Sequence, residues 1–377
     1  CQIPEGDLCD EVFDRCKPLF RRAASIIFTG IGEPLLHPKL DQYIKATAEQ
    51  APADSTIGFQ TNGKLLTRQS AVSLLKAGVN KICISVDSVT PEQFDDVRSG
   101  GTLQDIEMAL DALFNAKKIV PDTRLSVGIE FVLMKKNLEE LPKVVEWAGR
   151  RKIDFMLVSH LTAYEKEMEN EQVFLHNSHE ALALFEVYKG KAARKDLDIM
   201  SYSPKMVKFY STNKERQLCD LVAELKEEGL EKDIYLNLFH LLSEPAKEYE
   251  RIKKVFDKAR IISDKYKISL TLPRIRPKTD RYCRFVEENT LFVTWQGQVA
   301  PCYFLWHQYN CMRTGYTKHV YPVYFGNVKE QSLENIWYNS SYVRFRQNVT
   351  AYDYPNCHAW CEKRCDYVLE APFIQDC

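Results

Sequence analysis

Chemistry in this chain is concentrated in its thiols. Of twelve cysteines, Cys283, Cys302, Cys311, Cys357, Cys361, Cys365 and Cys377 fall in the last quarter of a 377-residue sequence. A disulfide framework suits small secreted chains rather than a large α/β protein. The run Cys357-x3-Cys361-x3-Cys365 has the close spacing that metal or cluster ligation requires. On a helix, the first two would share a face and the third would lie one turn later. Four cysteines hold Zn(II) as readily as they hold an iron–sulfur core, so the residues alone leave both open. His307, five residues after Cys302, is a ligand, a proton donor or a structural histidine.

A second group of residues comes directly after short apolar runs. Thr29-Gly30-Ile31-Gly32-Glu33-Pro34 places two glycines where backbone must approach a ligand closely, with a carboxylate at Glu33 for a cationic group. Thr61-Asn62-Gly63 reads as a turn or as ligand contacts. Ser85 and Asp87 suit a ribose or an amino-acid head group, or equally a helix cap. Gly128-Ile129-Glu130 and Asn137 belong to the next such run.

The elements that position these groups alternate. Apolar or β-branched runs at 25–29, 56–60, 81–86, 125–133 and 154–159 are separated by helical periodicity at 40–49, 68–77, 103–116 and 138–149. Such alternation predicts βαβ units and a parallel sheet, closed or open, with ligands beyond the C-terminal strand ends. No G-x-G-x-x-G comes after a strand, so a dinucleotide site lacks its fingerprint. Residues 160–280 are rich in Lys and Glu and mostly helical in pattern, with a returning strand at 268–272 and a linker at 273–277. The net charge of −1 gives no basis for a nucleic-acid groove or an anionic membrane surface. No apolar run approaches the roughly 18 residues of a membrane span. No secretory signal is visible, and a reducing cytoplasm is the expected compartment. The sequence starts at Cys1 without an initiator Met and ends at Cys377, so both ends read as cut.

The order of these elements resembles the radical S-adenosylmethionine (SAM) superfamily. Residues 29–34 look like its glycine-rich motif, which binds the methionyl amino group of SAM. Thr61, Asn62, Ser85 and Asp87 fall where that family contacts ribose and carboxylate; Glu130, Leu157 and Val158 fall where it flanks adenine. The resemblance implies a TIM-like partial (β/α)6 barrel over 1–160, missing its first strand, and a SAM-binding [4Fe–4S] cluster. The family's loop is C-x3-C-x2-C, a spacing that Cys1, Cys9 and Cys16 do not have. Cys1, however, lies 28 residues before Thr29, much like the family's third cluster cysteine. The resemblance therefore makes Cys1 the third ligand, with the other two cut away and the fragment inactive as it stands. Cys9 and Cys16 are then ordinary thiols.

The C-terminal part resembles SPASM-type auxiliary domains. Cys283, a strand-like 290–295 and Gly297-x4-Cys302 match the opening of that family, and Phe325-Gly326-Asn327, Trp337 and Phe345-Arg346 fit its turn and short helices. The resemblance implies a small cysteine-rich α+β domain at 281–377, after a mainly helical insertion at 161–280. It also implies one or two auxiliary [4Fe–4S] clusters on Cys283, Cys302, Cys357, Cys361, Cys365 and Cys377. The tail departs from the family's spacing, which puts the number of clusters in doubt. Residues 299–303, with His307 and 324–329, look most like the subgroup that matures tungsten- or molybdenum-cofactor oxidoreductases. The implied activity is reductive SAM cleavage to a 5′-deoxyadenosyl radical. Its implied target is a peptide, protein or metalloenzyme cofactor, with ferredoxin or flavodoxin as electron donor and neither nucleic acid nor membrane as partner. The rival is a non-catalytic zinc- or cluster-binding scaffold with a degenerate barrel.

Overall fold

The structure is a computed structural model that describes residues 5–90, 102–203, 212–243, 247–276, 283–313 and 316–351. Six strands form one parallel sheet in sequential order: β1 (Ser25–Phe28), β2 (Thr56–Thr61), β3 (Lys81–Ser85), β4 (Ser126–Leu133), β5 (Phe155–His160) and β6 (Ser269–Thr271). β3 and β4 are buried along most of their length, as near-continuous apolar runs should be in a covered parallel sheet. The register keeps the strand ends level: Thr61 pairs with Ile84, and Ser85 with Glu130. Residues at these ends are thereby gathered on one rim, as the α/β reading expects.

The crossover helices are Leu40–Ala48, Arg68–Ala77, Leu103–Ile119 and Leu141–Arg150. Two begin with reciprocal caps, Thr67 with Ser70 and Thr102 with Asp105, which satisfy amide donors that a helix N-terminus otherwise leaves open.

The chain divides into two compact units. The first takes the described parts of Cys1–Val173, Val255–Pro273 and Tyr282–Cys377; the second takes those of Phe174–Lys254 and Arg274–Arg281. The second unit has its own core. Leu184, Phe185 and Tyr188 on helix His179–Arg194 pack with Leu218, Leu221 and Leu225 on helix Asn213–Glu231.

Within the first unit, the C-terminal region is built on two small hairpins. β7 (Phe292–Val293) pairs with β8 (Val299–Ala300), and β9 (Tyr309–Arg313) with β10 (Tyr316–Val320), both antiparallel. Gly297 turns the first hairpin at φ +91°, a conformation that L side chains resist. Helices Leu333–Trp337 and Ser340–Thr350 complete the core, capped by Ser332 and Asn339. The N-terminal helix Asp10–Phe20 joins this core through Val12 and Cys16, while Phe13 stacks on Tyr43 with ring centroids 4.1 Å apart. One helix thus ties the sheet layer to the C-terminal hairpins.

Candidate active site

A cavity of about 350 Å3 opens at the C-terminal rim of β1–β4. Thr29, Gly30, Ile31, Gly32, Glu33 and Pro34 line it directly after β1. Gly32 has φ +148°, and a Cβ at Gly30 or Gly32 would meet nothing within 4 Å. Both positions therefore present bare backbone to open space, which suits a ligand that must approach main-chain atoms.

Glu33 is fixed rather than loose. Its Oε1 accepts from the Thr61 hydroxyl at 2.7 Å and from the Leu35 amide at 3.1 Å; its Oε2 accepts from the Asn62 amide at 2.8 Å. Thr61 and Asn62 also line the cavity, so the second strand end both walls the site and aims the first one's carboxylate. The residue types here read equally as a turn; the structure shows that these two positions hold Glu33.

Deeper in the rim, Glu130 is 6% exposed and accepts from the Ser159 hydroxyl at 3.0 Å and from the Gln60 amide. Gln60 also donates to the Ser85 hydroxyl at 3.0 Å. Ser85 and Glu130 both line the cavity, joined by Gln60, a residue the sequence reading did not single out. The signal for Gln60 was a long polar side chain directly after the apolar core of β2.

Asp87 is placed differently. Its Oδ1 accepts from the Val132 amide at 2.8 Å, its carbonyl accepts from the Asn137 side chain at 3.1 Å, and it does not line the cavity. The carboxylate joins the β3 end to β4 because two parallel strand ends leave amides that need acceptors. Leu157 packs against Cys83 and Phe155 in the core, away from the cavity lining.

The C-terminal domain supplies the remaining lining: Phe292, Tyr303, Phe304, Trp306, His307 and Tyr309, joined by Thr162 and Tyr164. Apart from His307, sequence reasoning placed none of these in a site, Tyr303 and Tyr309 entering only through a family resemblance, because their relation to the barrel exists only in three dimensions. Burial pushes the His307 imidazole below the usual histidine range, toward the neutral form.

Cys283 and Cys302 are both buried in the C-terminal core, at either end of the segment carrying the first hairpin. In the same core, burial holds the Tyr342 hydroxyl, in a residue 1% exposed, well above the usual tyrosine range, against the opposing Arg346 guanidinium. Cys311 is buried nearby in the same core. Cys1, Cys357, Cys361, Cys365 and Cys377 lie outside the described residues. Among the described residues, no group of three or more His, Cys, Asp or Glu is arranged around a metal position. Cys9 is exposed, and burial pushes the Cys16 thiol up to about 12, which keeps it protonated.

Known proteins point to the same chemistry. Residues 6–148 match the family model described as the radical SAM superfamily, and residues 283–366 match the SPASM iron–sulfur cluster-binding domain. A relative from Pyrococcus furiosus, named as a tungsten-containing aldehyde ferredoxin oxidoreductase cofactor-modifying protein, is 26% identical over 97% of this chain and 82% of its own. A GTP 3′,8-cyclase from Chlorobaculum tepidum is 31% identical over 32% of this chain and 34% of its own. Among solved structures, native anSMEcpe with bound AdoMet is 14% identical at a TM-score of 0.48, covering 92% of this chain and 76% of that one. Streptococcus suis SuiB bound to S-adenosylmethionine is 12% identical at 0.49, covering 92% and 62%. A radical SAM domain carries SAM on a [4Fe–4S] cluster, and a SPASM domain carries auxiliary iron–sulfur clusters. The bare backbone at Gly30 and Gly32 with the Glu33 carboxylate fits the first ligand, and Cys283 and Cys302 are buried thiols of the donor type the second requires. The chain thus carries a radical SAM region at residues 6–148 and a SPASM iron–sulfur cluster-binding region at 283–366, the domain pair of an enzyme.

Proposed function

We propose that this protein binds SAM in the rim cavity and cleaves it reductively, to modify a peptide or protein or to mature a metalloenzyme cofactor. One observation carries the reading: a carboxylate locked by Thr61 and Asn62 stands beside bare glycine backbone at a parallel strand end. Glu33 offers a fixed acceptor to the methionyl ammonium, and the Gly30–Gly32 backbone accepts close approach. Ser85, Gln60 and Glu130 present a polar face to the sugar and base. When bound and reduced by one electron, cluster-held SAM supplies a 5′-deoxyadenosyl radical. The aromatic residues of the C-terminal domain exclude water from that cavity.

The Pyrococcus relative favours metalloenzyme maturation, since its name describes modification of a tungsten enzyme's cofactor. A ferredoxin or flavodoxin is the fitting electron donor for a buried cluster, and a reducing cytoplasm the fitting compartment. Among the described residues no helix is long and apolar enough to cross a membrane, and the net charge of −1 offers nothing to nucleic acid. The experiment is a calorimetric SAM titration of the anaerobically reconstituted protein, wild type against Glu33→Ala. Loss of about tenfold or more in affinity is expected, the scale of removing a charge-assisted hydrogen bond. Equal affinities would leave the non-catalytic scaffold as the better reading.

A further inference from the structure

The C-terminal side of the cavity is almost entirely aromatic, and among the described residues its imidazole has no hydrogen-bond partner. His307 is 8% exposed and lines the cavity, yet neither ring nitrogen meets a hydrogen-bond partner among the described residues. It lies between two other rings: Trp306, with centroids 4.6 Å apart, and Tyr309, at 4.8 Å and 28° between planes. Trp306 in turn stacks on Phe292 at 5.6 Å and 27°. Buried polar groups in folded proteins are nearly always hydrogen-bonded, so a histidine of this kind facing a cavity points to a ligand. A neutral imidazole offers one donor and one acceptor, and complements an edge that carries both. Among the described residues, no lysine or arginine lines the cavity, whereas Glu33 and Glu130 do. With Glu130 held by Ser159 and Gln60, and Glu33 reserved for the methionyl ammonium, that lining disfavours anions and offers flat ring faces to an uncharged partner.

We propose that His307 and the rings around it bind the group on which the enzyme acts, and that this group is a planar, uncharged ring with a hydrogen-bonding edge. The ring belongs either to a small heterocycle or to an aromatic side chain. The inference rests on the SAM-cleaving reading of the same cavity and assigns the part of the lining that SAM does not use.

The test is calorimetric titration of the full, SAM-saturated chain with guanosine, N-acetyltryptophanamide and GTP. At least one of the two uncharged rings should bind. Guanosine binding alone identifies a heterocycle; N-acetyltryptophanamide binding alone identifies a side chain. Whichever ring binds, His307→Phe should weaken it by about tenfold or more, because a site built to hydrogen-bond an edge loses that selectivity with its partner. His307→Gln, which keeps a donor and an acceptor, should retain most of the affinity. GTP should bind more weakly than guanosine. The proposal is overturned if neither ring binds, if both His307 variants match wild type, or if GTP binds at least as tightly as guanosine. It is also overturned if His307→Phe lowers SAM affinity, which would place the imidazole on the adenine instead. Wild-type protein that binds a ring but no SAM would refute the SAM-cleaving reading and leave the ring site standing.

Discussion

The Thr61 hydroxyl donates to Glu33 Oε1 at 2.7 Å, joining residues 28 positions apart across the ends of β1 and β2. Thr61 is buried and also accepts from the Gly63 amide at 3.0 Å. The carboxylate's direction is therefore set by the neighbouring strand together with the Leu35 amide of its own loop.

Thr61→Val should release Glu33 on one side while preserving shape. Stability should fall by about 1 kcal/mol, the usual net contribution of one such bond. SAM affinity should fall with it, and more steeply than stability alone accounts for. Chemical denaturation and calorimetry on the same preparation separate the two effects.

Gly32→Val tests the bare backbone. At φ +148° a β-branched residue is strained, at a cost of about 1–3 kcal/mol, although no neighbour blocks its Cβ. A modest drop in melting temperature with a large loss of SAM binding is expected. Unchanged SAM affinity would remove residues 29–34 from the site.

Cys283→Ser and Cys302→Ser should each lower the iron and sulfide content of reconstituted protein and change its visible absorption. SAM affinity should be preserved, because the glycine-rich rim is built from other residues. Zinc in place of iron and sulfide after anaerobic purification would contradict the auxiliary-cluster assignment.

Acid dependence has a local source at the N-terminal helix. The hydrogen bonds from Lys39, at 2.5 Å, and from Tyr43, at 2.8 Å, hold the Asp10 carboxyl below the usual carboxylate range. A depressed carboxyl stabilises the fold above its unfolded pKa of about 4 and loses that contribution as pH falls through the folded value. Asp10→Asn should therefore flatten the stability profile below about pH 4. A profile identical to wild type under thermal melting would show that the pair contributes nothing.

Much of the fold was legible in sequence because period and turn chemistry are local. The strand expected at 25–29 is β1 at Ser25–Phe28, and the apolar run at 125–133 is β4 at Ser126–Leu133. The returning strand at 268–272 is β6, paired with β5 despite more than a hundred intervening residues. Less legible was what each polar residue does. Asp87 reads in sequence equally as a ligand contact or as a cap, and its Oδ1 accepts from the Val132 amide, a pairing that depends on register. Gln60 bridges Ser85 and Glu130 through a side chain whose partners lie on two other strands. Trp306 and Tyr309 reach the cavity only because the C-terminal domain and the barrel belong to one compact unit.

The most direct test of SAM cleavage at this rim is mass-spectrometric detection of 5′-deoxyadenosine. The full-length gene product would be reconstituted with iron and sulfide and reduced anaerobically in the presence of SAM. Wild type should form 5′-deoxyadenosine, and Gly32→Val, equally loaded with iron, should form at least about tenfold less, because backbone access to SAM is lost. No 5′-deoxyadenosine from cluster-loaded wild type, or equal amounts from both proteins, would contradict a SAM-cleaving site built on residues 29–34.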